Sequence, residues 1–460
     1  MQRTGTRFRP RLARDDYDAI IIGSGIGGLT TAALLAKLGK RVCVLEQHYT
    51  AGGYTHAYEN QGYEWDVGVH YIGEVHKPWS VLRRVFDVIS DNQLKWAPMD
   101  DNFDRIVLGD LTFDYVAGRE PMTAALKQQF PDESAAIDAY IKLLGDVSAQ
   151  VPKFFAGQSM PRRLGMLYSK LRRRLLPDYF FKTTREVLEG LTQNQQLIGV
   201  LTGQWGDYGL PPAKSAFVMH AMVAKHYLAG GCYPVGGAVQ MAASIIPQIE
   251  AAGGHVFTYA GVREILLENG RAVGVRLHKD AVELRAPQIV SCAGLVPTYT
   301  RLLPREVAEA KGLLAPLKKV ELSAASLCLY AGFKGSAAEL GLPKTNYWVY
   351  PGADHDSNTI RFQTGATEQM PMIYISFPSA KDPSWDSRYP HKATVEIVAP
   401  CLPGRRIRRT QGQADQRAAG NLVPFPAAIT RCAGFLRAGH AAVHRVVPVE
   451  RTRRNLRHRP

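Results

Sequence analysis

Ala19-Ile20-Ile21-Ile22-Gly23-Ser24-Gly25-Ile26-Gly27-Gly28 is the stretch from which the fold can be read. Four apolar residues in a row, with no polar alternation, suit a parallel strand covered on both faces. Glycines at 23, 25 and 28 make Gly-x-Gly-x-x-Gly, a weak signal alone but a strong one between a strand and a helix. The helix is expected over Leu29–Leu38, rich in Ala and Leu at helical spacing, with Gly39 as its C-terminal stop. Arg41-Val42-Cys43-Val44-Leu45-Glu46 then reads as the second strand of a βαβ unit.

In that setting each glycine has a task. Gly23 makes the tight turn, Gly25 lets the backbone approach a diphosphate, and Gly28 lets helix and strand pack closely. Gly27 adds to the same bend, and the helix start directs N–H groups and its positive end at the phosphates. Glu46 closes the second strand, where a carboxylate accepts ribose hydroxyls and repels a 2′-phosphate. Gln47 follows, and Gly52-Gly53 give a second close approach to the dinucleotide. No other Gly-x-Gly-x-x-Gly follows a strand later in the chain. One such motif with a distant strand-rich return suits FAD, bound by a domain that a substrate domain interrupts.

Composition sets the outer bounds. A chain of 460 residues is too long for one ordinary core. With 46% apolar and 21% charged residues it is globular. The net charge of +15 is lopsided. Residues 401–460 hold thirteen Arg and no Lys against one Asp and one Glu, so +11 lies there and +4 in the remainder. That distribution argues against a nucleic-acid partner for the body. The six cysteines show no Cys-x-x-Cys pair, so no metal site is expected. Cys43 and Cys292 read as small buried hydrophobes. His220 and His226, six apart, are poorly spaced for a metal on a helix.

Further along, Tyr63, Trp65, Val67 and Val69 alternate as a strand after a Gly turn, and 120–230 reads mostly helical. Strands are expected at His255–Tyr259, Val262–Glu268, Ala272–Leu277 and Gln288–Cys292, with Asn269-Gly270 as a hairpin turn. More are expected at 322–333, 372–377 and 393–398.

The segment 17–73 resembles the retinol saturase branch of the phytoene desaturase and carotene isomerase superfamily. The glycines above, Leu45-Glu46-Gln47-His48, Gly52-Gly53 and Gly62-Tyr63-Glu64-Trp65-Asp66-Val67-Gly68-Val69-His70-Tyr71-Ile72-Gly73 carry the likeness. So do Gln204-Trp205-Gly206-Asp207-Tyr208-Gly209-Leu210-Pro211-Pro212, Gly230-Gly231-Cys232-Tyr233-Pro234-Val235-Gly236-Gly237 and Ser376-Phe377-Pro378-Ser379-Ala380-Lys381-Asp382-Pro383. The likeness covers roughly residues 15–400. It implies an FAD enzyme that saturates, desaturates or isomerises double bonds of a polyene or isoprenoid lipid, with an external electron donor or acceptor. It also implies Val262 near the adenine, the 291–294 segment with Ala293 returning to the cofactor, and Gly236-Gly237 opening a helix near the flavin. His70 and Tyr71 would lie close to the isoalloxazine, and either is the candidate proton donor. Both could instead only shape the pocket. Asp66 stabilises its turn or binds ribitol hydroxyls. Lys381-Asp382 reads as a surface turn before Pro383.

The fold class expected is α/β, a Rossmann-type FAD-binding domain interleaved with an α+β substrate domain. The divisions are a flexible basic arm (1–15), FAD domain (16–90), mostly helical substrate domain (91–230), FAD domain again (231–300), substrate-domain sheet (301–400) and an irregular basic tail (401–460). Residues 153–187 mix Phe, Leu, Met and Tyr with Arg172-Arg173-Arg174, suiting a basic amphipathic helix on an anionic membrane, against the plainer reading of a solvated face. With neither a signal peptide nor an apolar run of eighteen, the expected location is cytoplasmic, peripheral to the inner face of a membrane. The tail departs from the family. Its Arg, Ala and Pro bias is what a GC-rich gene yields in a shifted reading frame, which would remove the segment that closes over the flavin and weaken FAD retention. The alternative is a real basic tail for nucleic acid or anionic lipid. Competing functions are an amine-oxidase-like flavoenzyme and a catalytically silent flavin- or membrane-binding protein.

Overall fold

The computed structural model describes residues 3–320, 325–367, 369–401 and 447–448. The chain divides into two compact units. The first comprises Met1–Pro98, Cys232–Glu321 and Lys381–Tyr389; the second comprises Met99–Gly231, Leu322–Ala380 and Pro390–Pro460. Residues 301–320 and 381–389 therefore belong with the first unit and not with the substrate-domain sheet expected over 301–400. The expected irregular tail lies outside the described residues, apart from Cys401 and Val447–Pro448.

The first unit is built on a five-stranded parallel sheet, in the order Thr6–Arg7, His255–Thr258, Val42–Leu45, Ala19–Ile22 and Gln288–Ser291. The unbroken apolar runs now have their cause. Ile21, Val42 and Val44 face a layer formed by the helices Ile26–Lys37 and Val239–Ala251. Ile20, Ile22, Cys43 and Leu45 face a three-stranded antiparallel sheet of Val262–Glu268, Arg271–Leu277 and Glu283–Arg285. Alternate side chains of one strand thus fill two different cores. Asn269 and Gly270, both at positive φ (50° and 74°), make the hairpin turn that their dipeptide signals.

The expected flexible arm at 1–15 is corrected. Thr6–Arg7 pairs in parallel with Phe257–Thr258 as the sheet's edge strand. Phe8 is 2% exposed, its ring edge-on to Phe257 at 5.3 Å. The Thr4 hydroxyl donates to the Ala51 carbonyl at 2.7 Å. The basic residues around them conceal one aromatic and one hydroxyl that find buried partners.

The second unit has a mixed sheet in the order Val447–Pro448, Ala325–Lys334, Lys392–Cys401, Ile373–Ser376, Asn346–Tyr350, Asn102–Leu108 and Leu111–Val116. Helices from 119 to 227 accompany it. Asp104, fully buried, accepts hydrogen bonds from Gln204 Nε2 (2.8 Å), Asn346 Nδ2 (2.8 Å) and Trp348 Nε1 (3.1 Å). His220 is hydrogen-bonded to the hydroxyls of Tyr140 (2.9 Å) and Tyr208 (3.1 Å). Burial pushes its imidazole down to about 3, and burial takes His355 down to about 4 against the opposing Gly199 carbonyl. An apolar pocket lies in this unit, lined by Phe103, Tyr115, Leu126, Tyr140, Leu201 and Tyr227, with Gln204 at its wall.

Two outcomes follow from these cores. Phe8→Ala should lower stability by about 3 kcal/mol in equilibrium urea unfolding, where a free arm would register no change. Both buried histidines have folded pKa values below the ordinary 6.5, so below pH 6.5 the unfolded chain binds protons that the native state refuses. Stability should therefore fall as pH drops from 6.5 towards 4, by up to about 1.4 kcal/mol per pH unit for each histidine. His220→Gln should flatten that slope when the thermal midpoint is followed against pH.

Candidate functional site

The glycine turn is held by contacts that a side chain would prevent. Gly23 is at φ 97°, and a Cβ there would lie 3.3 Å from the Cys292 carbonyl. At Gly28 a Cβ would stand 2.1 Å from the Gly23 carbonyl oxygen, so the helix seats directly on the turn. Gly53, at φ 57°, packs on Gly25, with its Cβ position 2.7 Å from the Gly25 Cα. Gly25 and Gly52 form a parallel bridge, and the Gly52 amide donates to the Ser24 carbonyl at 3.1 Å.

Gly25 is different. Its φ and ψ of −59° and 168° suit any residue, and a Cβ there would meet no heavy atom within 4 Å. The same space is open at Gly27. The helix start beside them has no side-chain cap and no acidic residue in its first turn. A helix N-terminus with no side-chain cap and open space beside it can accept an anion such as a diphosphate.

Glu46 is 8% exposed and faces this turn. Its Oε2 accepts from the Ser24 amide (3.0 Å) and hydroxyl (2.7 Å), and its Oε1 accepts from the His48 amide (2.8 Å). Three donors fix the carboxylate's orientation and leave lone pairs on both oxygens for a sugar's hydroxyls. Ser24, fully buried, was missed from sequence because it occupies a variable position of the motif. Gln47 is exposed, its Cβ 3.4 Å from the Cβ position of Gly261, which precedes Val262. The Val262 side chain packs in the apolar cluster between the two sheets. Ala293 is exposed, its amide nitrogen 3.6 Å from the Cβ position of Gly23. Cys292, expected to be buried like Cys43, is exposed instead, because the strand ends at Ser291 and the chain turns out over the glycine bend.

A second cluster surrounds the N-terminus of the helix Val239–Ala251. Gly236 and Gly237, at φ 93° and 89°, lead into it. Asp66 accepts from the Ala238 amide at 2.9 Å and from the Tyr233 hydroxyl. These contacts tie Asp66 to the start of the Val239–Ala251 helix and to Tyr233. Lys381 and Asp382 are not a surface turn: they are 1% and 4% exposed. Asp382 accepts from the Gly236 amide (3.0 Å) and from Arg388 (2.6 Å), whose other nitrogen reaches Glu64 (2.9 Å). Burial opposes the Arg388 charge, but the hydrogen bonds to Glu64 and Asp382 hold its pKa above the ordinary value. Lys381 Nζ donates to the His70 carbonyl at 3.1 Å and lies 5.7 Å from the centre of the Tyr71 ring. Tyr71 is buried, and the His70 side chain is half-buried. Polar residues before a Pro suggest exposure; only the packing of distant segments buries these two.

Residues 21–87 match the family described as NAD(P)-binding Rossmann-like domain. The chain is 38% identical over 402 residues to the all-trans-retinol 13,14-reductase of Danio rerio, covering 84% of this chain and 66% of that protein. It is 39% identical over 408 residues to the Homo sapiens protein of the same name, covering 85% and 67%. A Danio rerio protein named inactive all-trans-retinol 13,14-reductase is 32% identical over 403 residues, covering 83% and 65%. The chain thus spans about two thirds of the length of these relatives. Among solved structures, the PF1083 protein of Pyrococcus furiosus superposes with a TM-score of 0.58 at 17% identity, over 84% of this chain and 80% of that one, a likeness of fold.

The open space at Gly25 contrasts with the tight packing at Gly23, Gly28 and Gly53. Gly25→Ala should fold with an unchanged thermal midpoint, since its Cβ touches nothing within the chain. It should also weaken dinucleotide binding at least tenfold in a fluorescence titration. Equal binding by wild type and variant would count against a diphosphate in this bend.

Proposed function

The chain belongs to the all-trans-retinol 13,14-reductase family, and on that premise we propose that it is an FAD-dependent oxidoreductase acting on C–C double bonds of an apolar polyene or isoprenoid. The observation that carries the cofactor is the open, uncapped helix start at Gly25 beside the oriented carboxylate of Glu46. In this reading Gly23, Gly25, Gly27 and Gly28 cradle the diphosphate, with Gly52 and Gly53 against it. Glu46 binds the adenosine ribose, Gln47 and Val262 flank the adenine, and Ala293 borders the diphosphate. When bound, the flavin supplies hydride transfer to or from a carbon of the substrate, with an external two-electron donor or acceptor restoring it.

The chain's own residues do the rest. Saturating an alkene needs a proton as well as a hydride, and His70 or Tyr71 supplies it.

We also infer that residues 153–187 bring the unit to an anionic membrane, the source of such a substrate. The helix Arg162–Leu175 seats on the turn Ala156–Ser159 through glycine: a Cβ on Gly165 would stand 2.4 Å from the Gly157 carbonyl oxygen. Seated so, it leaves Leu164, Leu167, Leu171 and Leu175 between 42% and 59% exposed, with Arg172, Arg173 and Arg174 in its last turn. An apolar stripe beside clustered arginines fits a headgroup–acyl boundary. No helix among the described residues is long and apolar enough to cross a membrane.

Two experiments test this reading. Anaerobically reduced, FAD-loaded protein mixed with an all-trans polyene alcohol should reoxidise and yield a product carrying two additional hydrogens. Bound flavin that no polyene reoxidises would leave a silent flavin-binding protein. Leu167→Glu with Leu171→Glu should abolish co-sedimentation with phosphatidylserine-containing vesicles while leaving the thermal midpoint unchanged. Undiminished sedimentation would refute the membrane contact.

A further inference from the structure

Lys381 is the one buried lysine among the described residues, and the reaction proposed above does not use it. Removing an ammonium from water is costly unless its surroundings repay that cost by hydrogen bonds and opposing charge. Here it donates to the His70 carbonyl at 3.1 Å and stands over the rings of Tyr71 (5.7 Å) and Tyr233 (6.0 Å). Those two tyrosines come from segments far apart in sequence, so the ammonium ties them together.

Contacts within the first unit show on which side of the glycine bend this charge lies. Glu46, His48 and the 259–261 segment form one side: the Ala260 amide donates to the Glu46 carbonyl, and the Tyr259 amide to the His48 carbonyl. Gly25 is at the bend and Gly53 lies on it. From Gly53 the chain continues to Tyr54, and a Cβ on Gly68 would stand 2.9 Å from the Tyr54 Cβ. Two residues beyond Gly68 is His70, whose carbonyl Lys381 holds. The helix Val239–Ala251 reaches the same side, since the Ala242 Cβ is 3.3 Å from the Cβ position of Gly52. Its leading turn is held by Asp66 and Asp382. A dinucleotide with its adenosine at Glu46 and its diphosphate at Gly25 would have its flavin half on the side away from Glu46, the side these contacts give to the cluster.

We propose that Lys381 is a positioning residue that fixes the His70–Tyr71 segment and brings an ammonium to the flavin end of the site, favouring reduced over oxidised flavin. The proposal rests on the reading of this unit as an FAD site. Its chemical basis is charge balance. Two electrons and one proton added to oxidised flavin leave a net negative charge on the ring, which a nearby fixed cation stabilises. Asp382, next in sequence, is taken up by Arg388 and the Gly236 amide, so the Lys381–Asp382 pair clamps two loops at once.

The test uses the full chain and free FAD, oxidised and, under anaerobic conditions, reduced. Dissociation constants for both forms are measured by titration for wild type, Lys381→Gln and Lys381→Arg. Glutamine keeps a donor for the His70 carbonyl and removes the charge. The expected result is that K381Q binds oxidised FAD within about twofold of wild type and reduced FAD about tenfold more weakly. Tenfold corresponds to about 30 mV for a two-electron couple. K381R should restore the wild-type ratio. Equal weakening of both forms by K381Q would make the lysine structural and overturn the proposal, as would no change in either. If wild type binds neither form, the FAD reading itself fails and takes this inference with it. Lys381→Met is carried in parallel in case K381Q does not fold. Failure of both neutral variants to fold while K381R folds would assign the ammonium to stability, again overturning the proposal.

Discussion

The first unit depends on the contact between the Gly23 carbonyl and the helix that starts at Ile26. With only 2.1 Å between that oxygen and a Cβ on Gly28, the turn and the helix admit no side chain between them. This close seating places the helix N-terminus directly over the end of the Ala19–Ile22 strand. The strand in turn is positioned by two cores, one on each face of the sheet. Burial on both faces fixes the sheet, and a fixed sheet holds the bend of small residues in place. Glu46 completes the arrangement because its strand neighbours Ala19–Ile22 in the sheet, and Ser24 holds its carboxylate with both amide and hydroxyl.

Two helices of this unit invite comparison. Both pack on the same face of the parallel sheet. The start of Ile26–Lys37 has no side-chain cap, whereas the start of Val239–Ala251 meets the Asp66 carboxylate at the Ala238 amide. An orphaned helix terminus needs a partner. One helix finds it in the Asp66 carboxylate; at the start of the other, a Cβ added to Gly25 would meet no heavy atom within 4 Å. The charges gathered at the capped helix, Glu64, Asp66, Asp382, Lys381 and Arg388, are consequently arranged by hydrogen bonds rather than exposed to water. They form a connected polar cluster at that helix start.

Much of this was legible in the chain because the signals are local. The apolar run before Gly23, the spacing of the three glycines and Glu46 at the end of the next strand each report on a few neighbouring residues, and the structure assembles them as read. Asn269-Gly270 likewise announces its own backbone conformation. Local pattern misleads where a residue's fate depends on a distant partner. Phe8 hides among arginines until Phe257 meets it. Cys292 belongs to an apolar run yet sits one residue past its strand's end. Lys381 and Asp382 look like a surface turn until His70, Gly236 and Arg388 enclose them.

The sequence by itself therefore determined the βαβ unit, its glycine bend and the carboxylate beside it. Steric limits at glycine and the period of apolar side chains act over a few residues and need no other part of the chain. Only the tertiary structure decided which charges are buried, which helix end is capped and which is open. Burial and hydrogen-bond satisfaction are properties of segments brought together from across hundreds of residues, and no local pattern encodes them.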